Sequence, residues 1–334
     1  MSANEPTGTD LISAAGNPAP PGGVVEWLTE ANGVKLRTAR WILPAREARG
    51  TVVLAQGRTE FIEKYFEVIR ELIARKYSVV TFDWRGQGLS SRQLENKRKG
   101  HVGDFSEFDC DLHVVMERVV HPQAVKPYIA LAHSMGGNIL LRYLHDNPHE
   151  FERAVLTAPM LAVKTTPFPL WFARGVAALW TGTGNKAAYV FNGAKQDPLQ
   201  QTFDGNVVTS DQARFERMMA CYAADARLAL GAPTFGWLEA AFRSMDLVRT
   251  DEFAAGIETP VLLIGAAYDR LVDLGADIRL IRRLKRGMYV LLKAEHEIMM
   301  ERDDIRTAFW GCFDAFVTPA FGQVEARSRS TTAA

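Results

Sequence analysis

Residues 128–144 read Tyr128-Ile129-Ala130-Leu131-Ala132-His133-Ser134-Met135-Gly136-Gly137-Asn138-Ile139-Leu140-Leu141-Arg142-Tyr143-Leu144. An apolar run meets a helix-like run with one serine and two glycines between them. This is the pattern of a strand, a sharp turn and a helix, with Ser134 at the tip. A serine hydroxyl is a weak nucleophile until it is held in the open beside a base. A strained strand-to-helix elbow supplies that presentation, and its crowded flanks call for small residues. Ala132 stands where the usual G-x-S-x-G has its first glycine. An ordinary glycine-containing turn of a doubly wound sheet has the same look, so the surroundings decide between the two readings.

Working outward, short apolar runs alternate with helical patterns. Strands are expected at Val25–Leu28 and Val34–Leu43, joined by the hairpin signal Asn32-Gly33, then at 51–55, 78–82, 127–132 and 154–157. Helical spacing fills about 60–75, 105–119 and 135–146. The rhythm breaks from about 159 to 247, where prolines and glycines separate helix-like stretches. It resumes with strands at 260–265 and 288–293 and helices at about 273–284 and 302–317. Such alternation predicts an α/β fold with a mostly parallel central sheet and helices on both faces. The expected organisation is a core at 24–158 and 247–318 and a helical cap inserted at 159–246. A disordered tail is expected over residues 1–23 and a flexible one over 319–334.

Composition narrows the function classes. The 334 residues are 47% apolar and 23% charged, with a formal net charge of zero. No global field favours nucleic acid or an anionic membrane. The basic clusters at 97–99 and 282–286 read as solvated faces. Three dispersed cysteines, Cys110, Cys221 and Cys312, argue against a disulfide framework or a cysteine-rich metal site. Residues 1–23 hold no apolar stretch of the kind a secretory leader needs, so none is expected, and there is no run of roughly 18 apolar residues. The expectation is a cytoplasmic protein, with peripheral contact at the inner membrane face through the cap left open, as is the oligomeric state.

If Ser134 is a nucleophile, its base should be a late histidine and its acid should leave the preceding strand. His296 follows the strand at 288–293, at the sheet edge where α/β catalytic groups gather. Asp269 leaves the strand at 260–265. Asp273, better placed to cap the next helix, and Asp246 are the alternatives. Backbone N–H groups of Met135 and of Arg58, in the loop after the strand at 51–55, are the candidate oxyanion donors. Gly57 in that loop is either a turn glycine or a substrate contact. Phe168, Trp171 and Phe172, in an apolar stretch of the cap, either pack it onto the core or form an acyl pocket or lipid-facing lid.

Six ordered blocks carry a family resemblance: Gln56–Tyr65, Asp83–Ser90, His101–Phe105, Ala132–Gly137, Tyr268–Asp273 and Glu295–Ile298. Over roughly residues 25–317 the chain resembles α/β-hydrolase-fold serine hydrolases of the lysophospholipase and monoacylglycerol-lipase type (the serine aminopeptidase S33 group), most of all the bacterial lysophospholipase L2 subgroup. The resemblance implies a Ser134–Asp269–His296 triad, a helical cap near 160–245 and carboxylester hydrolysis. It implies a lysophospholipid or monoacylglycerol as substrate, with no metal or organic cofactor. A short-chain carboxylesterase, peptidase or acyltransferase would use the same triad. A non-catalytic binding module is the reading from another class.

Overall fold

The computed structural model describes residues 11–318. β1 (Val24–Thr29) and β2 (Lys35–Trp41) form an antiparallel hairpin, with Gly33 in the left-handed region that its turn requires. β3 (Thr51–Ala55) leads through a tight turn at Ile62–Tyr65 into α1 (Phe66–Ala74). The helix expected from about residue 60 therefore starts later, because the Ile62 N–H is held by Asp83 Oδ1 at 3.0 Å. β4 (Ser78–Phe82) precedes α2 (Ser106–Val115), which runs on through a π-turn at Met116–Val120 into α3 (His121–Gln123). β5 (Tyr128–His133) and α4 (Met135–Asp146) flank Ser134, and β6 (Arg153–Thr157) follows.

Between β6 and the next strand lie α5 (Leu170–Gly182), α6 (Gln212–Ala224), α7 (Phe235–Val248) and α8 (Asp251–Gly256). The alternation then resumes with β7 (Val261–Ala266), α9 (Leu274–Ile281), β8 (Gly287–Leu292) and α10 (Asp303–Val317). The eight strands form one sheet in the order β1-β2-β4-β3-β5-β6-β7-β8. Only the pairings of β2 with β1 and β4 are antiparallel. The fold is that of an α/β-hydrolase, as expected.

The central strands are buried throughout, which is why they read as continuous apolar runs rather than alternating ones. One face packs on α2, α4 and α9 through Phe108, Leu112, Leu140, Leu144 and Leu280. The other packs on α1 and α10 through Phe66, Ile69, Leu72, Phe309 and Phe313. The expected boundary between cap and core at 246–247 falls inside α7. That helix continues to Val248 because Phe242, Met245 and Val248 join the core, and Ser244 Oγ bonds Asn138 Oδ1 on α4 at 2.6 Å.

The expected disorder of residues 1–23 does not hold from Leu11 onward. Asn17 is buried, and its amide donates to Glu63 O at 2.8 Å, while Trp41 Nε1 donates to Pro20 O at 3.0 Å. A few specific polar anchors order a segment whose composition alone would not. Residues 1–10 and the expected flexible tail at 319–334 lie outside the described residues. Among the described residues no helix is long and apolar enough to cross a membrane.

Candidate active site

The carboxyl ends of β3, β5, β7 and β8 place the candidate residues at one sheet edge. Ser134 links β5 to α4 with φ +49° and ψ −115°, a conformation that costs a non-glycine residue on the order of 1–3 kcal/mol. Four backbone hydrogen bonds hold it there. Its N–H donates to Thr157 O at 3.0 Å, and its carbonyl accepts from Gly137, Asn138 and Met160 at 3.0, 3.2 and 2.9 Å.

Small neighbours make the turn. A β-carbon on Gly136 would lie 2.5 Å from the carbonyl oxygens of Ala55 and Gln56, and one on Gly137 would lie 2.8 Å from Pro159 Cβ. Ala132 is fully buried in the apolar core and pairs with Ala55 and Leu156, so its methyl group has a place at the departed glycine position.

Two distances define the site. His296 Nε2 lies 2.9 Å from Ser134 Oγ, and His296 Nδ1 lies 2.6 Å from Asp269 Oδ2. The three residues come from turns far apart in sequence and are all buried. The other oxygen of Asp269 accepts from the N–H groups of Leu271 and Val272 at 2.7 and 2.9 Å. Burial alone would raise this carboxyl. The bond and charge of His296, with the two N–H groups, bring it below its ordinary value. It is a fixed anion aimed at one imidazole nitrogen.

The alternative acids are engaged elsewhere. Asp273 caps α9 through Gly275 N–H at 3.0 Å, and Asp246 pairs with Arg174 and Arg249. His133, next to the serine, turns its ring to within 4.8 Å of the His296 ring. Its Nδ1 faces Thr157 O and Oγ1 at 3.1 Å. Burial lowers its pKa to about 4, which keeps a second positive charge away from His296.

The loop after β3 lies against the elbow. Gly57 N–H donates to Glu60 Oε2, and a β-carbon on Gly57 would lie 2.9 Å from the His133 ring. Thr59 N–H donates to Gln87 Oε1 at 3.0 Å. Both neighbours are committed, and the Arg58 N–H has no protein acceptor among the described residues. Met135 opens α4, where the first-turn N–H groups have no intrahelical partner. The loop that carries Arg58 thus lies against the elbow that carries Met135.

Phe168, Trp171 and Phe172 are all exposed to solvent in part or for the most part. Trp171 is 74% and Phe168 46% exposed, and the Phe172 ring packs on those of Phe168 and Trp171 at 5.5 and 5.9 Å. The chain leading to them is tied to the acid loop through Lys164 Nζ on Asp269 O at 2.6 Å.

Sequence reasoning missed a buried ion network behind the triad. Lys64 Nζ lies 3.0 Å from Glu60 Oε1 and 2.6 Å from Glu297 Oε1, and Tyr65 Oη donates to Glu60 Oε2 at 2.7 Å. Burial works against the charge of Glu60, yet Lys64 and His133 bring its pKa down to about 2. Burial and the Glu60 charge push Glu297 up instead. The available signal was a charged pair, Glu60 and Lys64, among large apolar residues at the start of a helix. Among the described residues, no cluster of three or more His, Cys, Asp or Glu could hold a metal ion.

Comparison with known proteins agrees with this architecture. The family described as serine aminopeptidase, S33, matches residues 46–303. The chain is 28% identical over 284 residues to the probable lysophospholipase L2 of Haemophilus influenzae, covering 84% of this chain and 88% of that one. It is 30% identical over 266 residues to lysophospholipase L2 of Escherichia coli K12, covering 77% and 76%. In structure it is similar to a soluble variant of monoglyceride lipase from Saccharomyces cerevisiae, at a TM-score of 0.67 and 20% identity over 87% of this chain and 94% of that one. The chain therefore belongs to the serine aminopeptidase S33 family and is a serine hydrolase.

Proposed function

We propose that the protein hydrolyses carboxylic esters of single-chain lipids, a lysophospholipid or a monoacylglycerol, with Ser134 as nucleophile, His296 as base and Asp269 as its orienting acid. The observation that carries this reading is the pair of hydrogen bonds on His296, one nitrogen toward Ser134 Oγ and the other toward Asp269. His296 takes the Ser134 proton as Oγ attacks the ester carbonyl. The N–H groups of Arg58 and Met135 receive the developing oxyanion, each worth about 3 kcal/mol in the transition state. His296 then protonates the leaving alcohol, and water deacylates the serine by the same route in reverse.

The lipid assignment rests on the relatives and on the exposed aromatic face. Phe168, Trp171 and Phe172, with Leu179 and Phe191, present more apolar surface than a helix in water needs. In this reading residues 159–246 are a cap over the site. Its aromatic face meets acyl chains at a membrane surface, and the protein is peripheral on the cytoplasmic side.

The test is product analysis with one acyl chain on different head groups. Free fatty acid released from lysophosphatidylcholine or monoacylglycerol, faster than from the matching fatty amide, supports the assignment. Turnover confined to short acyl esters or to amides contradicts it.

A further inference from the structure

We propose that the side chain of Arg58 binds the phosphate of the substrate's head group, so that lysophospholipids are selected over neutral monoacylglycerols at the site described above. The proposal rests on the esterase reading and deepens it.

The fully buried guanidinium groups of Arg37, Arg85 and Arg306 are given carboxylates, whereas the partly buried Arg92 is held by three backbone carbonyls. Arg37 meets Glu63 and Asp83, Arg85 meets Glu30 and Asp111, and Arg306 meets Glu71. Arg58 has no such partner among the described residues. Its Nη2 donates to the backbone oxygen of Gly231 at 2.5 Å, and its guanidinium lies over the Trp237 ring at 5.2 Å. Its Nε is buried with no acceptor at all.

Burial pulls the group down to about 10, and only the Tyr222 phenol acts the other way. Tyr222 is itself pushed up to about 12 by burial, so it supplies no counter-charge at neutral pH. The group is therefore a partly buried cation whose Nε is shut off from water and which has no anion among the described residues. That arrangement costs free energy unless something else completes it.

The surroundings make room for the group. Gly100 faces it, and a β-carbon there would lie 2.6 Å from Nη2. Guanidinium matches phosphate geometry, with donors arranged as a fork. The placement also fits the proposed reaction. The backbone N–H of Arg58 is a candidate donor to the ester carbonyl, and its guanidinium lies one side chain away. In a lysophospholipid the ester and the phosphate are separated by a glycerol backbone of similar reach. A monoacylglycerol presents only a hydroxyl there, which cannot neutralise the cation. The competing account is structural: Arg58 merely pins the β3 loop to Gly231 and Trp237.

The test compares kcat/KM for lysophosphatidylcholine and monoacylglycerol of one acyl chain in wild type, Arg58→Met and Arg58→Lys. The ratio of the two substrates should fall roughly ten- to hundredfold in Arg58→Met and recover in part in Arg58→Lys. Equal losses on both substrates would assign Arg58 to loop pinning and overturn the proposal.

A second measurement does not depend on the variants. In wild type acting on a neutral p-nitrophenyl ester, glycerophosphocholine should inhibit competitively at concentrations where glycerol does not. Inhibition by inorganic phosphate as strong as by glycerophosphocholine would assign the site to a free anion and overturn the head-group claim, as would no inhibition by either. Fluorophosphonate labelling of Ser134 in each variant separates the two claims. Lost labelling in wild type sinks the esterase reading, whereas intact labelling with an unchanged substrate ratio sinks only the Arg58 proposal.

Discussion

Lys64 Nζ lies 2.6 Å from Glu297 Oε1, which ties the turn before α1 to the residue beside His296. The same ammonium holds Glu60, whose other oxygen accepts the Gly57 N–H. One buried cation thus joins the loop carrying the candidate oxyanion donor to the loop carrying the candidate base. Breaking a buried ion network by removing one partner costs about 3–5 kcal/mol. Lys64→Met should lower the urea midpoint accordingly and reduce kcat on a short ester more than it raises KM. Adding Glu297→Gln should recover part of the stability, since it removes one stranded carboxylate. A Lys64→Met protein with unchanged midpoint and kcat would show that the two loops are positioned independently.

Asp277 gives a pH-dependent prediction. It is fully buried on α9, both carboxylate oxygens lack a partner, and burial with the nearby charges of Asp269 and Asp273 raises its pKa to about 8. In the unfolded chain it ionises near 3.8. Between those values the folded protein keeps a proton that the unfolded chain has lost. Stability therefore falls as pH rises through this window, and no penalty is present below it. Asp277→Asn does not titrate. Its stability advantage over wild type should be smallest near pH 4 and grow toward pH 8, reaching on the order of 5 kcal/mol. A gap that stays constant with pH, in paired denaturant titrations, would contradict the assignment.

Ser134 is held at φ +49° by its neighbours and not by its own preference. Glycine adopts that region without the β-carbon penalty. Ser134→Gly should abolish turnover while leaving the thermal midpoint equal to or above wild type, with about 1 kcal/mol of relieved strain set against the lost bond to His296. A clear loss of stability would mean that the hydroxyl matters to the fold as well as to the chemistry.

The parts legible in the sequence were local. Ser134, Asp269 and His296 each sit in a short turn whose neighbours announce it, and strand order then brings the turns together. The hairpin at Asn32-Gly33 and the buried strands were readable for the same reason. What escaped depends on contacts between distant segments. Lys64 and Glu297 are 233 positions apart, so nothing near either residue reveals the other. Residues 11–23 look disordered by composition, yet Asn17 finds Glu63 and Pro20 finds Trp41 only once the sheet has formed. The aromatic residues of α5 were ambiguous because burial and exposure leave the same helical spacing, and here Trp171 is exposed.

The most direct test of the central claim is active-site labelling with a fluorophosphonate, followed by mass mapping of the modified peptide. The account predicts one label per chain, on Ser134. It should be absent in Ser134→Ala and strongly slowed in His296→Ala and Asp269→Asn, with each variant folded by circular dichroism. Undiminished labelling of Ser134→Ala, or labelling that ignores the loss of His296, would contradict it.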